Sequence, residues 1–153
     1  MNEYLQQQVR AKDRAPQKLR NPRILIITPE ITYLPRGMGN MANVLTAKAG
    51  GMADVSASLV SELYSLGADV HVALPHYRRM FNIDIGQLIS DELRIFQEKL
   101  PDSRIHLAED RIFYYRDSIY SGYGEEAANI SLAFQREAIN NIITTVKPDL
   151  IHC

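Results

Sequence analysis

The sequence lacks most of the features that would mark a special environment. One cysteine, Cys153, stands among 153 residues. No disulfide can therefore close within the chain, and such cysteine usage suits a reducing cytoplasm. No apolar run approaches the length of a membrane-spanning helix, and the first residues form no apolar signal segment. Lys and Arg number 17 against 18 Asp and Glu, a net charge of −1, which argues against nucleic acid or an anionic membrane as the main partner. Tryptophan is absent, which carries no functional message by itself. No internal repeat is present, and the triplet Gln6-Gln7-Gln8 is the sole biased tract. The remainder is 46% hydrophobic and 23% charged, ordinary for a globular protein and long enough for one domain with a sizeable core.

The stretch from Ala47 to Pro75 organises the chain. Lys48 precedes the pair Gly50-Gly51, and an apolar-striped run follows, with Val55, Leu59, Val60, Leu63 and Leu66 at helical spacing. This spacing predicts an α-helix that buries those five side chains. Gly67 is placed as its left-handed stop. Glycines at a helix start leave backbone N–H groups uncovered, the helix dipole there favours an anion, and Lys48 adds a full charge. A phosphate is the natural guest. Glycines in a turn between strand and helix also serve simply to reverse the chain, and that reading stays open. No Gly-Lys-Ser/Thr follows, so this is not a Walker loop, and it is not the Gly-x-Gly-x-x-Gly fingerprint.

Met1 to Pro22 is polar and charged and reads as a flexible N-terminal arm, with contact to another subunit as its functional alternative. The continuous apolar run Ile24–Ile27 reads as a buried parallel strand. Glu30 to Ala47 is rich in Gly, Asn and Met, and a connection of that length needs a function or is disordered. Asp69 to Leu74 alternates as a second strand. His71 reads there as a satisfied near-surface histidine, and Arg78 and Arg79 beyond it as solvated loop charges. Residues 93–96, 105–107 and 112–115 suggest short strands in a small antiparallel excursion, with Phe113, Tyr114 and Tyr115 as packing aromatics. Residues 129–146 return to helix, with Ile130, Phe134, Ala138, Ile139, Ile142, Ile143 and Val146 on one face. Glu125 and Glu126 just before it suit the positive end of a helix dipole. The chain ends on Ile151-His152-Cys153, which reads as a strand. A buried strand is an unusual terminus, so the expectation is the front portion of a longer protein. The overall pattern is α/β with a parallel core sheet.

Lys48-Ala49-Gly50-Gly51-Met52-Ala53-Asp54-Val55 resembles the Lys-Thr-Gly-Gly-Leu-Ala-Asp-Val signature of bacterial glycogen synthases and plant starch synthases. Arg23 to Glu30 is similar to that family's first strand and its closing Glu. Gly67-Ala68-Asp69-Val70-His71-Val72-Ala73-Leu74-Pro75-His76-Tyr77 resembles its Gly-His-Asp-Val-Arg-Val-Leu-Leu-Pro-Arg-Tyr. Lys147 to Cys153 resembles the strand leading into its His-x-His-Asp-Trp. The likeness runs in order from residue 23 to residue 153. Family members carry an Asp-Asn pair ahead of an Arg-Phe in the last helix, which this chain lacks, so no role is carried over there.

The resemblance implies an α/β fold, the Rossmann-like amino-terminal half of a GT-B glycosyltransferase, present here in part as residues 23–153. It implies a retaining transferase that moves glucose from ADP- or UDP-glucose to the non-reducing end of an α-1,4-glucan in the cytoplasm, with no cofactor and no metal. Lys48, Gly50 and Gly51 match positions associated with the donor's phosphates, Asp54 one that faces the sugar nucleotide, and Glu30 the acid closing the first strand. Asp54 has the alternative of a first-turn acid complementing the helix dipole. His152 matches the first histidine of His-x-His-Asp-Trp. No complete catalytic set is present, so the chain alone is expected to be inactive without a carboxyl-terminal domain. Two other readings remain: a free-standing phosphate- or nucleotide-binding module of flavodoxin-like topology, and a non-catalytic glycan or assembly domain. The family connects its first strand to the glycine loop by a shorter segment. Residues 30–47 thus read as a connection that holds an insertion of roughly ten residues. Met38, Met41, Val44 and Leu45 have no evident partner there, and the expectation is a mobile lid over the ligand.

Overall fold

Among the described residues four short strands pair side by side in parallel, in the order β3-β2-β1-β4. They are β1 (Arg23–Ile27), β2 (Asp69–Pro75), β3 (Ile105–Ala108) and β4 (Leu150–His152). The computed structural model describes residues 21–81, 89–90 and 104–153. All of the N-terminal arm except Asn21 and Pro22, and the strand expected at 93–96, lie outside them. The α/β class and the parallel sheet are as expected, and the strand order is that of a Rossmann-like half. On β1, neighbouring Leu25 and Ile26 point to opposite faces, yet both are buried, as are Ala73 and Leu74 on β2. A continuous apolar run is what a strand covered on both faces requires.

Helix α1 (Gly51–Ser65) packs on β2. It stops in a Schellman arrangement: Ala68 N–H donates to Leu63 O and Gly67 N–H to Tyr64 O, each at 3.0 Å. Gly67, at φ +77°, takes the left-handed position, which a Cβ would strain. The buried stripe differs from the expected one. Ala53, Ala57 and Val60 are buried, Leu59 and Leu63 are partly so, and Val55 and Leu66 are 67% and 79% exposed. Small alanines let the helix approach the sheet closely, a contact that side-chain size does not advertise.

Beyond β2 come the short helices α2 (Arg78–Phe81) and, after β3, α3 (Arg111–Tyr114). Residues 112–115 are thus mainly helical, not a strand, and β3 joins the sheet in parallel, so among the described residues no antiparallel excursion forms around it. Asp110 caps α3 by accepting from Ile112 N–H at 2.9 Å, and a capped turn outweighs the strand preference of three aromatics. Phe113 is fully buried and meets Tyr77 and Phe134 edge-to-face at 6.3 Å each. Tyr115 is 75% exposed.

Helix α4 (Glu125–Glu137) runs through a π-helical turn, Ala138–Ile142, into α5 (Ile143–Val146). The inward residues Ile130, Phe134, Ala138, Ile142 and Val146 recur every fourth position. A regular α-helix would carry such a series about 40° around its axis at each step. The wider turn takes up that drift and keeps Ala138, Ile142 and Val146 buried. Ile139, expected on the same face, is 59% exposed.

The connection at 31–47 is packed, not mobile-looking. Two 3-10 turns, Arg36–Met38 and Asn40–Asn43, fold it back on the domain. Ile31 and Ala47 exchange backbone hydrogen bonds of 2.8 and 2.9 Å at its base. Ile31, Met38 and Leu45 are fully buried, and Leu34 and Ala42 nearly so. Each large apolar side chain so buried contributes about 1.5–3 kcal/mol, enough to offset the ordering of the residues around it. The absence of a partner for Met38 and Leu45, and with it the lid, is therefore corrected.

Candidate functional site

Parallel strands open their carboxyl ends toward one side, and there the chain brings together Glu30, Lys48, Gly50, Gly51 and Asp54. β1 continues into Thr28, whose N–H donates to Ala73 O at 3.1 Å. Thr28 and Glu30 are buried at 3% and 2% exposure. The Thr28 hydroxyl donates to Glu30 O at 2.9 Å and lies 3.1 Å from the Ser56 hydroxyl on α1. This fixes the strand end to the helix.

Glu30 then turns its carboxyl group onto the glycine loop. Its Oε2 accepts from Ala49 N–H at 2.6 Å and from Gly50 N–H at 2.9 Å. Its Oε1 accepts from the Tyr120 hydroxyl at 3.1 Å. Two loop amides are thus already engaged, and the groups left facing outward belong to the first turn of α1, which no side chain caps. Neither glycine is demanded by the fold. Gly50 is extended, at φ −154°. Among the described residues an added Cβ on Gly51 would meet nothing within 4 Å, and one on Gly50 would lie 3.9 Å from Glu30 Oε1, an ordinary contact.

Lys48 and Asp54 flank this bare turn. Lys48 Nζ reaches Asp54 Oδ2 at 2.7 Å, with side chains about half exposed (49% and 52%). The Thr32 hydroxyl donates to Asp54 Oδ1 at 2.6 Å. These hydrogen bonds, Lys48 first and Thr32 second, hold the Asp54 carboxyl below the ordinary aspartate range. An ion pair this exposed contributes little net energy, so Lys48 exchanges partners readily. Asp54 lies in the first turn, as the dipole reading expects, and is also tied to Lys48.

His152 stands at the same end of the sheet, opposite Ile26 on the neighbouring strand, one strand spacing of about 4.8 Å away. It is exposed and among the described residues forms no hydrogen bond or ion pair with the glycine loop. Arg78 and Arg79 are paired rather than free. Arg78 lies 3.7 Å over the Tyr114 ring and 3.4 Å from Glu109, and Arg79 is 2.9 Å from Asp117. His71 is satisfied, as expected, by His106 and Asp69.

A cavity of about 250 Å³ opens beside Glu30, over Pro29 and Pro75 at the ends of β1 and β2, with Tyr120, Ser121, Ile130 and Phe134 among its walls. The Ser121 hydroxyl is buried there without a partner among the described residues. Thr32 and Tyr120 are the members of this site that sequence reasoning missed. Tyr120 lies 90 residues from Glu30, and no local pattern signals such a contact. Among the described residues no three His, Cys, Asp or Glu side chains cluster as a metal site.

Residues 23–153 match the family described as starch synthase catalytic domain. The chain is 32% identical over 145 residues to a glycogen synthase of Moorella thermoacetica, covering 86% of this chain and 26% of that protein. It is 34% identical over 117 residues to glycogen synthase 1 of Synechocystis sp., covering 70% and 24%. With glycogen synthase 2 of Geobacter metallireducens it shares 31% over 125 residues, covering 70% and 25%. The chain thus spans about a quarter of the length of these relatives. No solved structure matches it.

Proposed function

Since this chain belongs to the starch synthase catalytic domain family, we propose that it forms the donor-phosphate part of a retaining glucosyltransferase. The whole protein would move glucose from ADP- or UDP-glucose to the non-reducing end of an α-1,4-glucan, in the cytoplasm. Residues 23–153 would be the front of its amino-terminal half, completed by a carboxyl-terminal domain that grips most of the nucleotide.

The observation that carries this reading is the glycine pair. It opens the first turn of α1 although neither the backbone nor the packing of the described residues needs a glycine there. What remains is the close approach of something outside the chain to uncapped N–H groups, and the dipole and Lys48 favour an anion. Departure of a nucleoside diphosphate builds negative charge, and donors already in place stabilise that charge without reorganising. Lys48 would leave Asp54 for the diphosphate, Asp54 would turn toward the sugar nucleotide, and His152 would face the same cleft from β4. Glu30 fits a supporting place, since both of its oxygens are engaged within the chain.

The test is transfer of labelled glucose into glycogen from ADP-glucose and from UDP-glucose by the whole protein carrying this chain. The 153-residue chain is tested beside it. Incorporation by the whole protein and none by the chain alone is expected, because half a donor site cannot hold the reacting geometry. Turnover by the chain alone, or none from either donor by the whole protein, would overturn the proposal.

A further inference from the structure

Tyr120 occupies an unusual position. The residue is 51% exposed and forms part of the wall of the 250 Å³ cavity, yet its hydroxyl points inward to Glu30 Oε1 at 3.1 Å. Glu30 is itself 2% exposed, and its other oxygen holds the N–H groups of Ala49 and Gly50. One carboxyl group therefore ties an open aromatic ring to the loop before α1. An exposed tyrosine gains nothing in solvation by turning its hydroxyl inward, so the bond is worth explaining.

We propose that Tyr120 is a positioning residue for the glycine loop: its hydroxyl, acting through Glu30, fixes the orientation of the Ala49 and Gly50 N–H groups and so the bare first turn of α1. With one oxygen held by two amides and the other by Tyr120, the carboxyl group cannot rotate about its terminal bond. Without the hydroxyl, Oε1 has no donor among the described residues, the carboxyl group is held through Oε2 alone, and the two loop amides lose a fixed partner. The cavity and the glycine loop then move independently, whereas in the native arrangement whatever leans on the ring is tied to the loop. The role of the loop in donor binding rests on the function proposed above; the tether itself does not.

Tyr120→Phe removes the hydroxyl and keeps the ring. Amide hydrogen exchange in the whole protein is expected to quicken at Ala49 and Gly50 and to stay unchanged in the strands. In the transfer assay the donor KM should rise roughly three- to tenfold, with kcat changed by less than about twofold and the glucan KM unaffected. Glu30→Gln is expected to act on the same loop, and the double variant to fall short of the summed effects. Unchanged exchange at Ala49 and Gly50 overturns the tether. So does exchange that quickens equally in the strands, because that marks a bond serving overall stability alone. Quickened exchange in a protein that transfers no glucose would uphold the tether and sink the glucosyltransferase reading.

Discussion

His71 and His106 stack with ring centroids 5.2 Å apart, His71 Nδ1 lying 2.9 Å from His106 Nε2. His71 Nε2 faces Asp69 Oδ1 at 3.3 Å. If Nε2–H of His71 donates to the aspartate, its Nδ1 is left as acceptor, and His106 must supply the proton between the rings. Burial, and then the neighbouring His71, pushes His106 down to about 4, and burial lowers His71 as well. Above 6.5 both folded and unfolded His106 are neutral and no difference arises. Between 6.5 and about 4 the unfolded chain takes up a proton that the folded one refuses, so stability is lost as pH falls. Asp69 is depressed: burial, which would raise it, is outweighed by Arg23. Its contribution is lost only below the ordinary aspartate range, outside that window. The unfolding midpoint is therefore expected to drop across 6.5 to 4, and His106→Gln to flatten the drop. A midpoint indifferent to pH there would contradict the assignment.

At the scale of elements, the 31–47 connection decides between a packed insertion and a mobile cover. Gly37 lies close under the Tyr64 hydroxyl, so an added Cβ there would have to displace the Tyr64 side chain, and Arg104 N–H donates to Met38 O at 2.7 Å. The amides of Ile31, Met38, Ala42, Leu45 and Ala47 are expected to be protected in hydrogen exchange with no ligand present. Rapid exchange throughout would restore the lid. The same segment shows what the sequence discloses and what it conceals. Strands β1 and β2 were legible because a run such as Ile24–Ile27 carries its own burial signal. The glycine loop was legible as a motif, and Lys48, Asp54 and Glu30 do converge on it. Ala53 and Ala57 were not recognised as the buried face of α1, because size-weighted periodicity favours Val55 and Leu66, which are exposed. Met38 and Glu30 meet Arg104 and Tyr120, from distant parts of the chain. No local pattern encodes those contacts.

In the whole molecule, β4 pairs with β1 on one side, and its residues Leu150 and Ile151 are 49% and 44% exposed. No helix among the described residues is long and apolar enough to cross a membrane. Under the function proposed above, the four parallel strands of the described residues, with Glu30, Lys48, Asp54 and His152 at their carboxyl ends, would offer one wall of a cleft. The chain spans about a quarter of its relatives' length, and the opposite wall would come from the rest of the protein. The central claim is that this wall holds the donor's diphosphate through the first turn of α1 and Lys48. Lys48 is half exposed, so replacing it should leave the fold intact. The direct measurement is kcat/KM for the sugar nucleotide in the whole protein with Lys48→Ala. Loss of a charge-assisted contact to the diphosphate should lower it by roughly tenfold or more, with the unfolding midpoint unchanged. A variant within about twofold of the native protein would contradict the claim.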